Sequence, residues 1–434
     1  MKILSHFMLF LFLLGSAFSL PACQDETEYT AISTTVYSIL YDSVFDRYGN
    51  AIVYADYPLT VDETSGLNDT VLVYNTDSLP YQSDLSRAKL TVSSSATIYQ
   101  ELANGEFQLL QSDSVDCRRP VLLRAMGNDE AGNVTWSVIK LEFRVHKIDT
   151  DSVVWVEYPD VPDFSGRLKT LLYQGRVYLF TEGGSIYSTS ADAPSAWRSE
   201  GTPGQFDYNS PVVFAGRLYL VGGGNVYAST DGSTWTLQES LSRDGDVETL
   251  LGATSGYLSG IKGGYYCSTQ GNEWQTGGSA ADFVRTGTNP CVYTLPTNST
   301  IEQIAILGRR TDETIGRHCL LAAEDSLLNW SQWGPVDSTG YYLPFDENHE
   351  MIRYGEGDFY VFGGTGNDAF TEYYTSKGLY WDRHANYTFF PEAFRGRSYF
   401  SAFTDEEEYI WIVFCSSSRG PATMFRGRLN SYNL

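Results

Sequence analysis

Arginines, tyrosines and carboxylates gather in the spacers between strand-like runs in the second half of the chain. They stand at Phe206-Asp207-Tyr208, Arg243-Asp244-Gly245-Asp246, Phe283-Val284-Arg285, Arg309-Arg310, Tyr341-Tyr342-Leu343-Pro344-Phe345-Asp346, Tyr387 with Phe389-Phe390, Arg395 with Arg397, and Arg419. An aromatic ring beside Arg and Asp can stack on a sugar while the polar groups bond its hydroxyls, or it can anchor a peptide. The candidate binding residues are Tyr208, Arg243, Asp246, Arg309, Arg310, Tyr341, Tyr342, Phe345 and Arg397. Asp244, Asp246, Asp346 and Glu347 share these spacers, and two of them could serve as acid and base on a glycosidic bond. Carboxylates are abundant here, so their presence alone does not establish a pair. His318, His349 and His384 fall in different repeats without ligand spacing, and no C-x-x-C occurs, so neither a metal nor a cofactor is expected.

The formal net charge of −24 repels nucleic acid, so no nucleic-acid partner is expected. Thirty-one Tyr and 40 Gly with only 19% charged residues suit β-structure, where aromatics pack on pleated surfaces and Gly makes turns. Beyond Cys23, the five cysteines 117, 267, 291, 319 and 415 are an odd number, which argues against a complete disulfide framework. Cys267 and Cys415 lie in apolar runs, where a free thiol behaves as a small hydrophobe.

Lys2 precedes an apolar run centred on Phe7 to Leu14, too short for a comfortable membrane span and suited to a secretory leader. The run ends in Leu20-Pro21-Ala22-Cys23, which resembles a bacterial lipobox with Cys23 as the lipidated residue. The resemblance implies an outer-membrane lipoprotein anchored through Cys23, at the cell surface or in the periplasmic leaflet. The acidic stretch Gln24 to Glu28 reads as a tether, similar to the export signal of surface lipoproteins. The expected organisation is a leader at 1–22, a tether at 23–28, a β-sandwich at 29–149 and a repeat domain at 150–434.

Residues 29–149 show short runs at Val36–Tyr41, Val71–Tyr74, Lys89–Val92, Ala96–Tyr99, Val121–Ala125 and Val138–Val145, separated by turn-rich spacers. Such spacing predicts a β-sandwich. Leu79 to Ser86, the Leu90 strand and the segment from Trp136 to Val145 resemble cadherin-like or immunoglobulin-like modules. The resemblance implies a spacer or adhesion platform.

From residue 152 onward one phrase recurs. Its clearest copy is Arg217-Leu218-Tyr219-Leu220-Val221-Gly222-Gly223, then Val226-Tyr227-Ala228-Ser229-Thr230-Asp231-Gly232, then Trp235. The tryptophans at 197, 235, 274, 330 and 381 step by 38, 39, 56 and 51 residues. A repeat of this length with four strand-like runs predicts propeller blades. The sixth unit, Tyr399 to Leu429, lacks a Trp-led outer strand, and Val153-Val154-Trp155-Val156-Glu157 has the form of one. Residues 152–157 are therefore expected to complete the sixth blade and close the ring.

The double glycine followed by Tyr and Trp resembles kelch repeats. Ser229 to Trp235 resembles the Asp-box of sialidase-type propellers, one residue short, with Gln270 and Lys377 where Asp231 stands in the clearest copy. Asp231 is read as a turn-former. The Arg-Ile-Pro opening of sialidases is absent, with Arg167-Leu168-Lys169 the nearest stretch, so sialidase activity is not expected. The whole arrangement resembles a family of lipoproteins known only by a domain of unknown function. It implies an all-β fold: an N-terminal Ig/cadherin-like sandwich followed by a six-bladed kelch/Asp-box-like propeller. The expectation is a non-enzymatic, membrane-anchored binding protein whose loop face takes a glycan or an envelope protein. A glycan hydrolase or lyase, and a structural subunit of an envelope complex, are the alternatives.

Overall fold

The computed structural model describes residues 36–62, 70–102, 104–111, 113–128, 132–150, 152–281, 283–295, 298–310, 317–323, 326–333, 343–344, 348–355, 357–377, 381–397 and 399–433. The expected leader and tether, with Cys23, lie outside them, as do Tyr341, Tyr342, Phe345, Asp346 and Glu347. The chain forms two compact units, Met1–Thr150 and Asp151–Leu434.

In the first unit, six strands lie in the spatial order Leu59–Asp62, Thr70–Asn75, Val134–Glu142, Val121–Asn128, Thr97–Glu101 and Phe107–Leu109. Thr70–Asn75 runs parallel to Val134–Glu142, and the other pairs are antiparallel. A two-stranded sheet pairs Val36–Asp42 with Lys89–Ser94. Both sheets feed one core: Val36, Ile39, Tyr41 and Leu90 meet Val73, Ile98, Leu123 and Leu141. Val121, Leu123 and Ala125 are buried while Arg124 is exposed, the alternation of a strand with one face on the core. The last strand ends at Glu142 rather than Val145. Beyond it, the buried Asn75 side chain donates to the Arg144 carbonyl at 2.8 Å and accepts from its N–H at 2.7 Å. A side chain thus takes over those backbone groups, and Val145 bridges Leu79 instead.

The second unit holds six sheets among the described residues. Sheet 1 is Leu168–Tyr173, Arg176–Thr181, Ile186–Ser190 and Arg198–Ser199; sheet 2 is Val212–Phe214, Arg217–Gly222, Asn225–Ser229 and Thr236–Leu237. Sheet 3 is Val247–Ala253, Leu258–Lys262, Tyr265–Thr269 and Gln275–Ser279. In sheet 4 the long strand Asn298–Arg310 pairs on one side with both Phe283–Arg285 and Cys291–Leu295, and on the other with Arg317–Ala323, which carries Trp330–Trp333. Sheet 5 is His349–Tyr354, Asp358–Gly363, Glu372–Ser376 and Asp382–Ala385. Sheet 6 joins Phe400–Thr404, Ile410–Phe414 and Thr423–Leu429 to Val153–Tyr158, with Trp155 opposite Gly427.

Local sequence explains these elements. Gln174-Gly175 and Ala215-Gly216 all have positive φ, the two-residue hairpin turn whose twist matches its strands. Second strands such as Ile410–Phe414 are buried throughout, so they read as continuous apolar runs. Several tryptophans at or in the outer strands tie them down by the indole N–H. Trp235 donates to the Gly201 carbonyl at 2.9 Å and Trp274 to Leu241 at 2.8 Å. Trp155 does the same to Phe389 at 2.7 Å.

First strands lie against first strands. Val247–Ala253 touches Val212–Phe214; His349–Tyr354 touches Cys291–Leu295 and Phe400–Thr404; Phe400–Thr404 touches Leu168–Tyr173; in sheet 4 the second strand, Asn298–Arg310, also touches Val247–Ala253 and His349–Tyr354. Between sheets 5 and 6, Phe362, Phe370, Phe390, Phe394, Phe400, Phe414 and Phe425 form an aromatic core against which Trp155 packs. At Gly427 a Cβ would stand 2.5 Å from the Trp155 ring, so the strand Val153–Tyr158 seats against a position only glycine fits.

Trp155→Ala is expected to destabilise the full-length chain by about 3–5 kcal/mol, the usual range for removing a packed tryptophan. Urea unfolding checks this; an unchanged midpoint would show that the strand contributes nothing.

Candidate functional site

The first strands converge on a cavity of about 280 Å³. Every sheet lines it: Arg167 and Leu168 from sheet 1, Asp207, Tyr208 and Asn209 from the approach to sheet 2, and Thr249 from sheet 3. Sheet 4 gives Val284, Arg285, Thr286 and Thr288; sheet 5 gives Asn348 and Glu350; sheet 6 gives Tyr399 and Phe400. Most of these stand at or just before the start of a first strand. The cavity therefore opens at the end where each sheet hands over to the next. Asp231 lies after the third strand of sheet 2, at the opposite end. Its carboxylate accepts from Ser229 Oγ and from the N–H groups of Ser233 and Thr234, which hold it well below the usual carboxylate range. It closes a turn, as read from the sequence.

The floor is built by a break in sheet 4. Arg285 pairs with Gly308 and Cys291 with Ala305, so residues 286–290 stand opposite only 306 and 307. This bulge, Thr286-Gly287-Thr288-Asn289-Pro290, leaves the ladder and enters the centre. Gly287 permits the approach, because a Cβ there would lie 3.1 Å from Leu307 Cβ.

Arg285 and the bulge bond to every other sheet. Arg285 Nη1 donates to the carbonyls of Asn209 at 3.3 Å and Leu250 at 3.1 Å; Nε donates to Gly287 at 3.0 Å, and Nη2 to Thr288. Thr288 N–H bonds both Glu350 carboxyl oxygens, at 3.2 and 3.0 Å. Thr288 Oγ1 meets Ser401 Oγ at 2.9 Å. Asn289 Nδ2 donates to the carbonyls of Thr170 and Ala402, each at 2.9 Å. Lys169, 1% exposed, donates from Nζ to the Asn209 carbonyl at 3.0 Å.

The electrostatics follow from burial. Glu350, 3% exposed, is pushed up to about 7 by desolvation, against the opposing pull of the Thr288 N–H and of Arg285. Burial takes Lys169 well below its ordinary value, and the Arg285 charge adds to this. Part of Arg285 faces the cavity, but its head is sunk among carbonyls, and burial lowers it to about 10. Asp207 Oδ2 accepts from Thr249 Oγ1 at 2.6 Å and its Oδ1 from the Asn209 N–H at 2.9 Å. Burial raises the Tyr208 phenol, opposed by Arg167.

Of the residues singled out in the sequence, Tyr208 lines this cavity, with its neighbour Asp207 and with Arg285. Asp246 and Asp244 instead hold Lys262 Nζ, at 2.7 and 3.3 Å, in the loop that carries Arg243. Arg309 and Arg310 end a strand beside Val284 and Phe283, at the cavity end of sheet 4; their side chains lie outside the described residues. Arg397 is not a surface binder. It is 5% exposed, its guanidinium lies 4.6 Å over the Phe414 ring, and Nη2 donates to the carbonyls of Cys415 and Pro421. Phe389 and Phe390 belong to the aromatic core rather than to an open loop. His349 and His384 do not fall in different repeats: both are in sheet 5, on its first and fourth strands, so about 14 Å of sheet separates them. Among the described residues, no three His, Cys, Asp or Glu come together as a metal site. Cys117, Cys267, Cys291 and Cys415 are buried and stand outside any disulfide.

Lys169, Asn209, Thr249, Thr288 and Glu350 escaped the sequence reading. Lys169 carried a signal, as the one charged residue of the first strand Leu168–Tyr173, whereas Glu350 shares its strand with His349 and Arg353. The run Thr-Gly-Thr-Asn-Pro before Cys291 marked the bulge.

These sheets and their central cavity define an all-β protein of the propeller class. Residues 149–434 match the family model described as the DUF6242 beta propeller domain, and residues 33–138 match the domain of unknown function (DUF6242) N-terminal domain. The chain belongs to this family. No curated protein matches it. Among solved structures it is similar to BamB from Moraxella catarrhalis, at 11% identity over 85% of this chain and 100% of that one, TM-score 0.30. The RRP9 WD40 repeats match at 8% identity over 78% and 96%, TM-score 0.35. The endo-arabinase from Bacteroides thetaiotaomicron VPI-5482 matches at 13% identity over 54% and 95%, TM-score 0.29.

Glu350 makes a pH prediction. The folded state keeps its proton up to about 7, whereas the unfolded chain releases it near 4.5. Its raised value therefore removes stability as pH climbs from about 4.5 to above 7, by up to about 3 kcal/mol at 1.4 kcal/mol per unit. Glu350→Gln is expected to gain stability relative to wild type across that window, and equal pH profiles in urea unfolding would refute the assignment.

Proposed function

We propose that this is a lipid-anchored binding protein of the bacterial outer membrane that takes a glycan at the cavity end of its propeller. One observation carries the reading: a single cavity is fed by all six sheets and combines tyrosines 208 and 399 with hydrogen-bonding groups from Asp207, Asn209, Thr249 and Glu350. Rings with fixed polar groups suit a flat, hydroxyl-rich ligand. In this reading the six sheets are blades of one ring, closed by the pairing of Val153–Tyr158 with Thr423–Leu429. Their glycine-Tyr-Trp phrases place them near kelch and Asp-box propellers. The first unit, with two sheets on one core, serves as an Ig-like spacer above the anchor at Cys23.

A hydrolytic reading is favoured by one feature. Glu350, pushed up to about 7, is a carboxyl able to give a proton in the same cavity as Asp207. Loss of turnover on glycan substrates in both Asp207→Asn and Glu350→Gln would support it.

The binding reading is tested by capture of the full-length protein on plates coated with envelope polysaccharides. Tyr208→Ala is expected to weaken capture at least about tenfold, as loss of a buried aromatic anchor does, while Glu407→Ala in an exposed turn leaves it unchanged. No capture, or capture indifferent to Tyr208→Ala, would refute it. In cells, Cys23→Ser is expected to release the protein from the membrane fraction; retention there would refute the anchor.

A further inference from the structure

Resting on that reading, we infer that the cavity is a blind socket for the terminal residue of a glycan chain, with Asn209 Oδ1 as the acceptor for one of its hydroxyls. Three observations carry this. First, the floor is sealed. Just past the lining residues Leu168, Thr288 and Phe400, Asn289 bonds Thr170 and Ala402 while Ser401 Oγ accepts from the Thr170 N–H at 3.0 Å and meets Thr288. Those bonds cross the axis and join sheets 1, 4 and 6, so no polymer threads through and none lies along the bottom.

Second, the size fits one unit. About 280 Å³ lies just under the range of about 300–1,000 Å³ that takes drug-sized ligands. That is room for a single sugar ring, with the next unit leaving through the mouth.

Third, the polar groups are unevenly satisfied. Asp207 accepts from Thr249 and Asn209, and Arg285 is engaged by four carbonyls. The Asn209 side-chain oxygen is shielded yet has no hydrogen-bond partner in the structure. An amide oxygen accepts only, and this one is closed off as it stands, so it meets a donor such as a sugar hydroxyl when the Asn209 amide turns toward the cavity that it lines. The Asn209 main chain is fixed independently, because its carbonyl takes Lys169 and Arg285 and its N–H bonds Asp207. The side chain can therefore be changed without disturbing the floor.

The test uses the full-length protein on an array of glycans that share one backbone and end in glucose, galactose, mannose, N-acetylglucosamine or a uronic acid. Signal is expected to follow the terminal residue, and the matching free monosaccharide is expected to compete at millimolar concentration. Asn209→Ala should weaken binding about tenfold, the effect of one hydrogen bond, while Asn209→Asp, which keeps the acceptor, should retain it. Binding that ignores the terminal residue and resists free monosaccharides would overturn the socket and leave the glycan reading standing. Binding to none of the glycans would overturn both.

Discussion

Everything in the second unit leans on one interruption of a strand. Sheet 4 pairs Phe283–Arg285 and Cys291–Leu295 with the same partner, and the five residues between them are pushed into the centre. From there, with Arg285, they bond Asn209 of the sheet 2 approach, Leu250 of sheet 3, Glu350 of sheet 5, Ser401 and Ala402 of sheet 6 and Thr170 of sheet 1. Radially arranged sheets leave inner backbone groups facing an axis where no sheet can pair them. Orphaned, such groups would cost about 1–3 kcal/mol each. The bulge supplies partners and turns an open channel into a floor.

The same device makes the site. A floor of carbonyls accepts the Arg285 guanidinium, and a cation held this way shares its space with Glu350, Lys169 and Asp207. Desolvation pushes Glu350 and Lys169 toward their neutral forms, which lowers the field at the bottom of the cavity. A ligand there meets Asp207, Arg167 and Arg285 alongside the neutral groups of Asn209, Thr249 and Thr288. The peripheral carboxylates Asp244 and Asp246 share Lys262 Nζ, which offsets one of their two charges.

The architecture was legible because it repeats. Recurring tryptophans, double glycines and apolar second strands announce four-stranded units, and Val153 to Glu157 has the residue pattern of the outer strand it forms. The site was legible only in part. Tyr208 and Arg285 stood out as loop residues, but Arg397 and Phe390 looked the same in sequence and are packed inside. Exposure of a spacer residue depends on which neighbour folds over it, and the aromatic core between sheets 5 and 6 draws its loop inward. Lys169, Thr288 and Glu350 do their work across the axis, through contacts up to 113 residues apart in the chain, and no spacing rule reports such contacts. In the first unit the same limit appears at Asn75, whose side chain ends a strand 69 residues away.

Hydrogen–deuterium exchange on the full-length protein, with and without a captured polysaccharide, tests the account most directly. Binding at the centre predicts added protection in three separate segments at once: 207–210, 284–288 and 348–350. Protection confined to the rim loops, or to the first unit, would contradict a central site built on the bulge.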